Sequence, residues 1–352
     1  MVAAFMAAVM VDVGSHMYPR AEFVANPRRE RNTMLQRISF YAQLEWKSSV
    51  RFVASILFAF FLGCSFVPTF AQRPGQQTFA SPEDAGHAFF AATQAQDEKS
   101  LLSILGPDGK DVISSGDPEE DLNARVGFVA KYQEMHRFVT ESDGTVALII
   151  GAENWPFPIP LVNEHGSWYF DTAAGKDEIL FRRIGRNELA AVDACRELVE
   201  AQKQYFARPR GDLSKQFAQK LVSDKGRHNG LYWQDADNEF ESPLDALIAY
   251  ANGRGPNDQG GDPNPFNGYF FRILTSQGPH APGGAKNYVV DGKMTGGFAF
   301  IAYPAEYRSS GVMTFIVNEA GAIYEKDLGP NTTKLAETMT AYDPDSTWHQ
   351  AE

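Results

Sequence analysis

Cysteine is almost absent from this chain, whose 352 residues include two, Cys64 and Cys195. Should Cys64 leave with a cleaved leader, no internal disulfide can form and the fold must rest on buried apolar surface. Histidine is scarce as well. The seven histidines include no pair at i, i+4, which excludes the helical motif of zinc hydrolases. No serine has the glycine flanks of a nucleophile elbow; Ser309-Ser310-Gly311 does not qualify. The glycine-rich stretch Gly292-Lys293-Met294-Thr295-Gly296-Gly297 joins two expected strands and opens no helix, so it cannot cradle phosphate as a P-loop does. Positive charge is in deficit. A formal net charge of -12 argues against nucleic acid and anionic membrane as partners.

Long apolar runs are missing too, with one exception. Lys47 and Arg51 precede Phe52 to Leu62 (FVASILFAFFL), and Pro68-Thr69-Phe70-Ala71 follows. That order is a secretory signal with basic, apolar and cleavage regions, too short to span a bilayer comfortably. We expect residues 48–71 to be the signal peptide and 1–47 to be an unstructured or mis-assigned extension, with Met34 as the true start. Cleavage near Ala71 removes seven basic and four acidic side chains, which takes the formal charge from -12 to -15. The product is periplasmic or secreted. Phe61-Leu62-Gly63-Cys64 loosely resembles a lipoprotein box, although Phe61 stands where an aliphatic residue belongs, and a lipid on Cys64 is the alternative anchor.

What is present organises around Asn187 to Phe206. Ala191, Val192, Cys195, Leu198, Val199, Gln202 and Tyr205 recur at three- and four-residue steps, which predicts an amphipathic helix with Asn187 as N-cap and Glu188 at its positive end. Cys195 falls on the apolar face and reads as a small hydrophobe, not a nucleophile. Before this helix, Ser81-Pro82-Glu83-Asp84 opens a helix carried by Ala85, Phe89 and Ala92, and Leu122 to His136 forms another with Val126, Val129, Tyr132 and Met135 at core spacing. Strands follow at Thr145–Ile150 and Ile159–Val162, the latter turning at Asn163-Glu164-His165-Gly166 into Ser167–Asp171. After the helix, Leu213–Leu221 and Leu244–Ala251 predict short helices, and Gly226–Trp233 leads back to the surface. Gly268–Leu274, Asn287–Val290, Phe298–Tyr303, Gly311–Val317 and Ala322–Glu325 form an antiparallel meander. The expected fold is α+β: N-terminal helices with a curved antiparallel sheet over 78–183, then a long helix packed on a meander over 186–329, then a polar tail over 330–352 in which Trp348 is isolated.

Trp155-Pro156-Phe157-Pro158-Ile159-Pro160-Leu161-Val162, followed by Gly166-Ser167-Trp168-Tyr169-Phe170-Asp171-Thr172-Ala173-Ala174-Gly175-Lys176, resembles a bacterial family of secreted proteins known as a domain of unknown function, number 2950. The likeness extends to about Gly329 and leaves out the tail. It implies export and brings no activity or catalytic residues. The helix-then-hairpin order is also similar to the cones of the nuclear transport factor 2 superfamily, whose pockets hold small molecules. Such a pocket implies a polar dyad, for which His87, His136 and Asp171 are the candidates. The later helix, with Gly268-Tyr269-Phe270-Phe271-Arg272, Ala302-Tyr303-Pro304, Gly311, Phe315, Val317, Gly321 and Tyr324, looks like a pilin or pseudopilin head. The helix lacks an apolar N-terminal half, so the chain is not expected to be a pilus subunit.

Two further constellations offer chemistry. Asp235 to Glu241 alternates oxygen donors but has no glycine at the sixth position, and Ala246 stands where an EF-hand needs glutamate. Asp258 and Asp262, in the Gly- and Pro-rich loop Asn252–Asn267, could hold calcium instead. Tyr303, Glu306, Tyr307 and Tyr324 could line a sheet edge that binds a peptide or glycan, or serve as its protective charges. The sequence therefore favours a non-enzymatic module for an envelope protein or glycan. The alternative is a small-molecule binder or hydrolase with a pocket in the N-terminal domain or the interdomain cleft, using His136 or Asp171.

Overall fold

The computed structural model describes residues 75–114, 118–207, 215–233, 242–245, 248–249, 251 and 264–351. The expected leader, Met34, Cys64, the acidic run 235–241 and the calcium candidates Asp258 and Asp262 lie outside the described residues. The fold is α+β, in two compact units. The first reaches Pro156 and takes in Leu161–Asp171, while the second holds Phe157–Pro160 and everything from Thr172 onward.

In the first unit, α1 (Pro82–Gln94), α2 (Glu98–Leu105), α3 (Lys110–Ile113) and α4 (Pro118–Glu134) precede a sheet of β1 (His136–Thr140), β2 (Val146–Ile150), β3 (Trp155–Pro156), β4 (Leu161–Glu164) and β5 (Ser167–Phe170). Ser81 caps α1, its hydroxyl accepting the N–H of Asp84 at 3.0 Å. Phe89 is fully buried, its ring 5.1 Å from Phe128 on α4 and 5.4 Å from Phe170 on β5. It joins the helix layer to the sheet. The sheet runs β1-β2-β4-β5, antiparallel throughout, with β3 beside β2. The β4–β5 turn takes positive φ at His165 and Gly166, 52° and 86°, as a type I′ hairpin requires. Two expectations fail here. The core face of α4 is Asp121, Ala124, Phe128 and Tyr132, while Val126 is 58% exposed. His136 ends no helix but begins β1. Of the expected core set Tyr132 is buried and Val129 and Met135 are half-buried, so only Val126 is misplaced, because the helix packs chiefly through Phe128 and Tyr132.

The second unit is built on α5 (Thr172–Ala207), whose 36 residues run about 54 Å at 1.5 Å each. It begins fifteen residues before the expected start at Asn187, so the expected domain boundary at 183–186 falls inside it. Gly175 and Gly185 weaken the helical pattern in the sequence. Gly175 is there for packing: a Cβ on it would stand 2.7 Å from Ile159 Cγ1, so the family-like motifs around these residues fit together physically. Asn187 caps nothing. Its Nδ2 donates to Ser310 O at 2.9 Å, and Glu188 Oε1 accepts the N–H groups of Val312 and Met313 at 2.8 and 3.0 Å.

The apolar face read from Ala191 to Tyr205 is buried as expected, Cys195 included. It packs on β11 (Ala299–Pro304) and β12 (Met313–Asn318) of a sheet completed by β6 (Tyr269–Leu274), β13 (Ile323–Asp327) and β15 (His349–Gln350), in the order β15-β13-β12-β11-β6. All six residues of β11 are buried, so the sheet is covered on both faces. The second cover is the supposed tail. In it α6 (Thr332–Thr338) lies against β11, β14 (Ala341–Tyr342) lies near β11 and β12, and Ala336, Tyr342 and Trp348 are buried. The tail looks polar because it is short and only its inward residues need be apolar. Smaller strands β7 (Ser276–Gln277), β8 (Lys286–Asn287), β9 (Val289–Val290) and β10 (Lys293–Met294) fill the β6–β11 connection.

Two other local expectations give way to long-range contacts. Residues 215–221 are not helical, because Gln202 on α5 takes both the N–H and the C=O of Ala218, at 2.8 Å each, and Phe217 bridges to Met294. Leu231 and Trp233 are buried, so 226–233 ends in the core. Ile248 and Ala249 are helical, and the rest of that expected helix lies partly outside the described residues.

Candidate functional site

The β7–β8 turn, Gly278-Pro279-His280-Ala281-Pro282-Gly283-Gly284, is held from inside by one side chain. Gln277 is 5% exposed; its amide donates to Pro282 O at 2.9 Å and Gly284 O at 2.6 Å, and its Oε1 accepts the Tyr288 hydroxyl at 3.1 Å. Burial pushes the Tyr288 phenol up to about 12, so it stays a donor. Gly283 and Gly284 supply φ of 88° and 74°.

The turn is held from outside by the tail. β14 pairs with β7 in parallel, Gly278 N donates to Tyr342 O at 2.9 Å, and a Cβ on Gly278 would collide with the Asp343 carboxylate. Asp343 then grips His280 at two points: Oδ1 accepts the His280 N–H at 2.8 Å and Oδ2 lies 3.0 Å from Nδ1. An ionised carboxylate only accepts, so Nδ1 carries the proton and the Nε2 lone pair of the neutral ring is left free. The Asp343 hydrogen bond, then its charge, then that of Asp345, raises the His280 pKa above the ordinary 6.5. The His280 side chain is 57% exposed.

Beside the dyad, Asp345 accepts the Thr347 N–H at 2.8 Å and its hydroxyl at 2.5 Å, which lowers its pKa. Lys326 donates to Thr347 Oγ1 at 2.6 Å and lies 5.7 Å over the Trp348 ring. The result is a rigid polar surface with a fixed imidazole. A neutral His280 can accept a proton or hydrogen bond at Nε2, and a protonated one can donate there. Among the described residues no hydroxyl or thiol bonds to His280, and no cluster of three metal-ligating side chains exists.

Sequence reasoning missed the pair, because 63 positions separate the partners. The signals available were the glycine and proline density around His280 and the Asp-Pro-Asp of 343–345. The expected dyad is not assembled. His136 starts β1 and Asp171 follows β5, at opposite ends of the strand order, and the register lines Thr140, not His136, up with Phe170, so the two are separated both across and along the sheet. His136 is exposed, stacked 4.0 Å on Tyr132 with Nδ1 donating to Tyr132 O at 2.9 Å, and His87 is exposed on α1. Tyr303 is 5% exposed on β11, between β12 and β6, and lines no edge. Glu306 is exposed, Tyr307 donates to Asp327 at 3.1 Å, and half-buried Tyr324 meets Tyr342 edge-on at 6.4 Å.

An α+β fold of helices and antiparallel sheets, with a clasped histidine turn, is the class this chain defines. The model of a family described as "Protein of unknown function (DUF2950)" matches residues 76–351, and the chain belongs to that family. The match includes the tail that the sequence reading left out, in keeping with the burial of Tyr342 and Trp348. No curated protein and no solved structure matches the chain, so the cone-like and pilin-like resemblances gain no support from a related structure.

Proposed function

We propose that this protein is an exported envelope protein, cut near Ala71, that acts as a non-enzymatic binding module for an envelope protein or glycan through the His280 turn. One observation carries the reading: a histidine locked at Nδ1 by Asp343 yet 57% exposed at the side chain. Catalytic dyads work where water is excluded and a reacting atom is held nearby, whereas an open, rigid imidazole suits recognition at low ordering cost. The test is retention of envelope material, peptidoglycan fragments and membrane-associated proteins separately, on the immobilised wild-type chain and on His280→Ala. Retention that H280A abolishes supports the reading. Equal retention by both, or none by either, overturns it. The His280–Asp343 pair itself favours a second reading, hydrolysis with His280 as base toward water; turnover of an ester or glycoside panel lost in H280A would establish that instead.

A further inference from the structure

We propose that the first unit pairs with a second copy of this chain through β1, joining two sheets into one across a two-fold axis. This rests on a different unit from the His280 reading and is independent of it.

The two ends of the first sheet are treated differently. At one end Phe79 closes β5 with two backbone hydrogen bonds to Trp168, each 2.8 Å. At the other end β1 pairs with β2 over all five residues and, among the described residues, with no other strand. Beyond that ladder, the bonds made by His136–Thr140 are side-chain ones, His136 Nδ1 to Tyr132 O and Arg137 Nη2 to Asn154 Oδ1 at 3.1 Å. The outward main-chain groups of β1 are therefore unpaired among the described residues. The strand has no proline or bulge to blunt it, and such an edge is a template for another strand.

A second feature lies on the same side. On α4, Leu122 and Val126 are 40% and 58% exposed, one turn apart. At 3.6 residues per turn they stand roughly 120–160° around from Phe128 on the core face. α4 contacts β1 and β2 while α1 contacts β5, and Phe128 on the core face of α4 points toward Phe89 of α1, 5.1 Å away. The apolar flank therefore looks out over β1. A two-fold axis perpendicular to a joined sheet keeps both helix layers on one side, so α4 would meet α4 of the partner above the new strand pair. Strand pairing alone buries too little for a stable dimer, and this flank supplies the missing apolar area.

Charge selects the register. Arg137, Val139 and Glu141 share one face of the strand by alternation. An antiparallel pair centred on Val139 sets Arg137 opposite the partner's Glu141, and symmetry makes the contact twice. A register centred on Phe138 sets Arg137 against the partner's Val139 and pairs no charges.

The experiment is sedimentation equilibrium of the purified chain at tens of micromolar. We expect a closed dimer for the wild type, at least tenfold weaker association for Arg137→Glu and for Glu141→Arg, and recovery of the dimer in the double variant. Val126→Glu should also weaken it about tenfold. A monomeric wild type overturns the proposal, as does a dimer that neither single reversal weakens. Recovery in the double variant excludes misfolding as the cause of a single variant's loss; failure to recover, with a native circular dichroism spectrum, overturns the register.

Discussion

Gln202 and Ala218 are joined by two hydrogen bonds of 2.8 Å, the side-chain amide of one matching the backbone amide of the other. Gln202 is fully buried, so it replaces water for an irregular segment laid against α5. Gln202→Leu keeps the volume and strands both Ala218 groups. We expect a loss of about 2–4 kcal/mol, read as a lower urea midpoint at unchanged m-value.

Glu188 anchors the start of β12 by accepting two N–H groups on one oxygen. Glu188→Ala should cost about 2–3 kcal/mol, since bonds to charged groups are the stronger ones. Glu188→Gln keeps an oxygen acceptor and should lose about half as much. Thermal unfolding of the two variants side by side checks the order.

The tail is predicted to be part of the core of the second unit. Trp348, 9% exposed, should cost about 3 kcal/mol as Trp348→Ala, within the range for large aromatic truncations. Ending the chain after Gly329 should remove cooperative unfolding of this unit altogether. Unchanged calorimetry of the truncated chain would contradict the two-sided sheet.

The His280–Asp343 clasp has a defined pH window. His280 is raised above 6.5, so its contribution to stability is fully present below the unfolded pKa and is lost as pH rises through the folded value. In Asp343→Asn the His280 titration, followed by its ring proton shifts, should move downward. An unmoved titration would mean that the clasp is open in solution.

Burial pushes the Cys195 thiol up to about 12, with no compensating charge strong enough to lower it. It should resist a thiol reagent at pH 8 in the folded chain and react at once in denaturant. Its rate in native buffer should follow the opening of the α5 core.

Local chemistry wrote much of this fold into the sequence. Ser81 before Pro82 starts α1, the Asn163–Gly166 turn closes a hairpin, and the spacing from Ala191 to Tyr205 sets the buried face of α5, because each depends on neighbours within one or two turns. The apolar run Phe298–Tyr303 announces a strand, and its burial on both sides emerges only in the structure. The tertiary structure decided the rest. It put Asn187 and Glu188 to work on a distant loop, pulled 215–221 out of helix, closed the sheet with Tyr342 and Trp348, and brought Asp343 to His280. Those outcomes turn on polar groups and single aromatics finding partners far along the chain. A hydrogen bond leaves no period in a sequence, whereas an apolar face does.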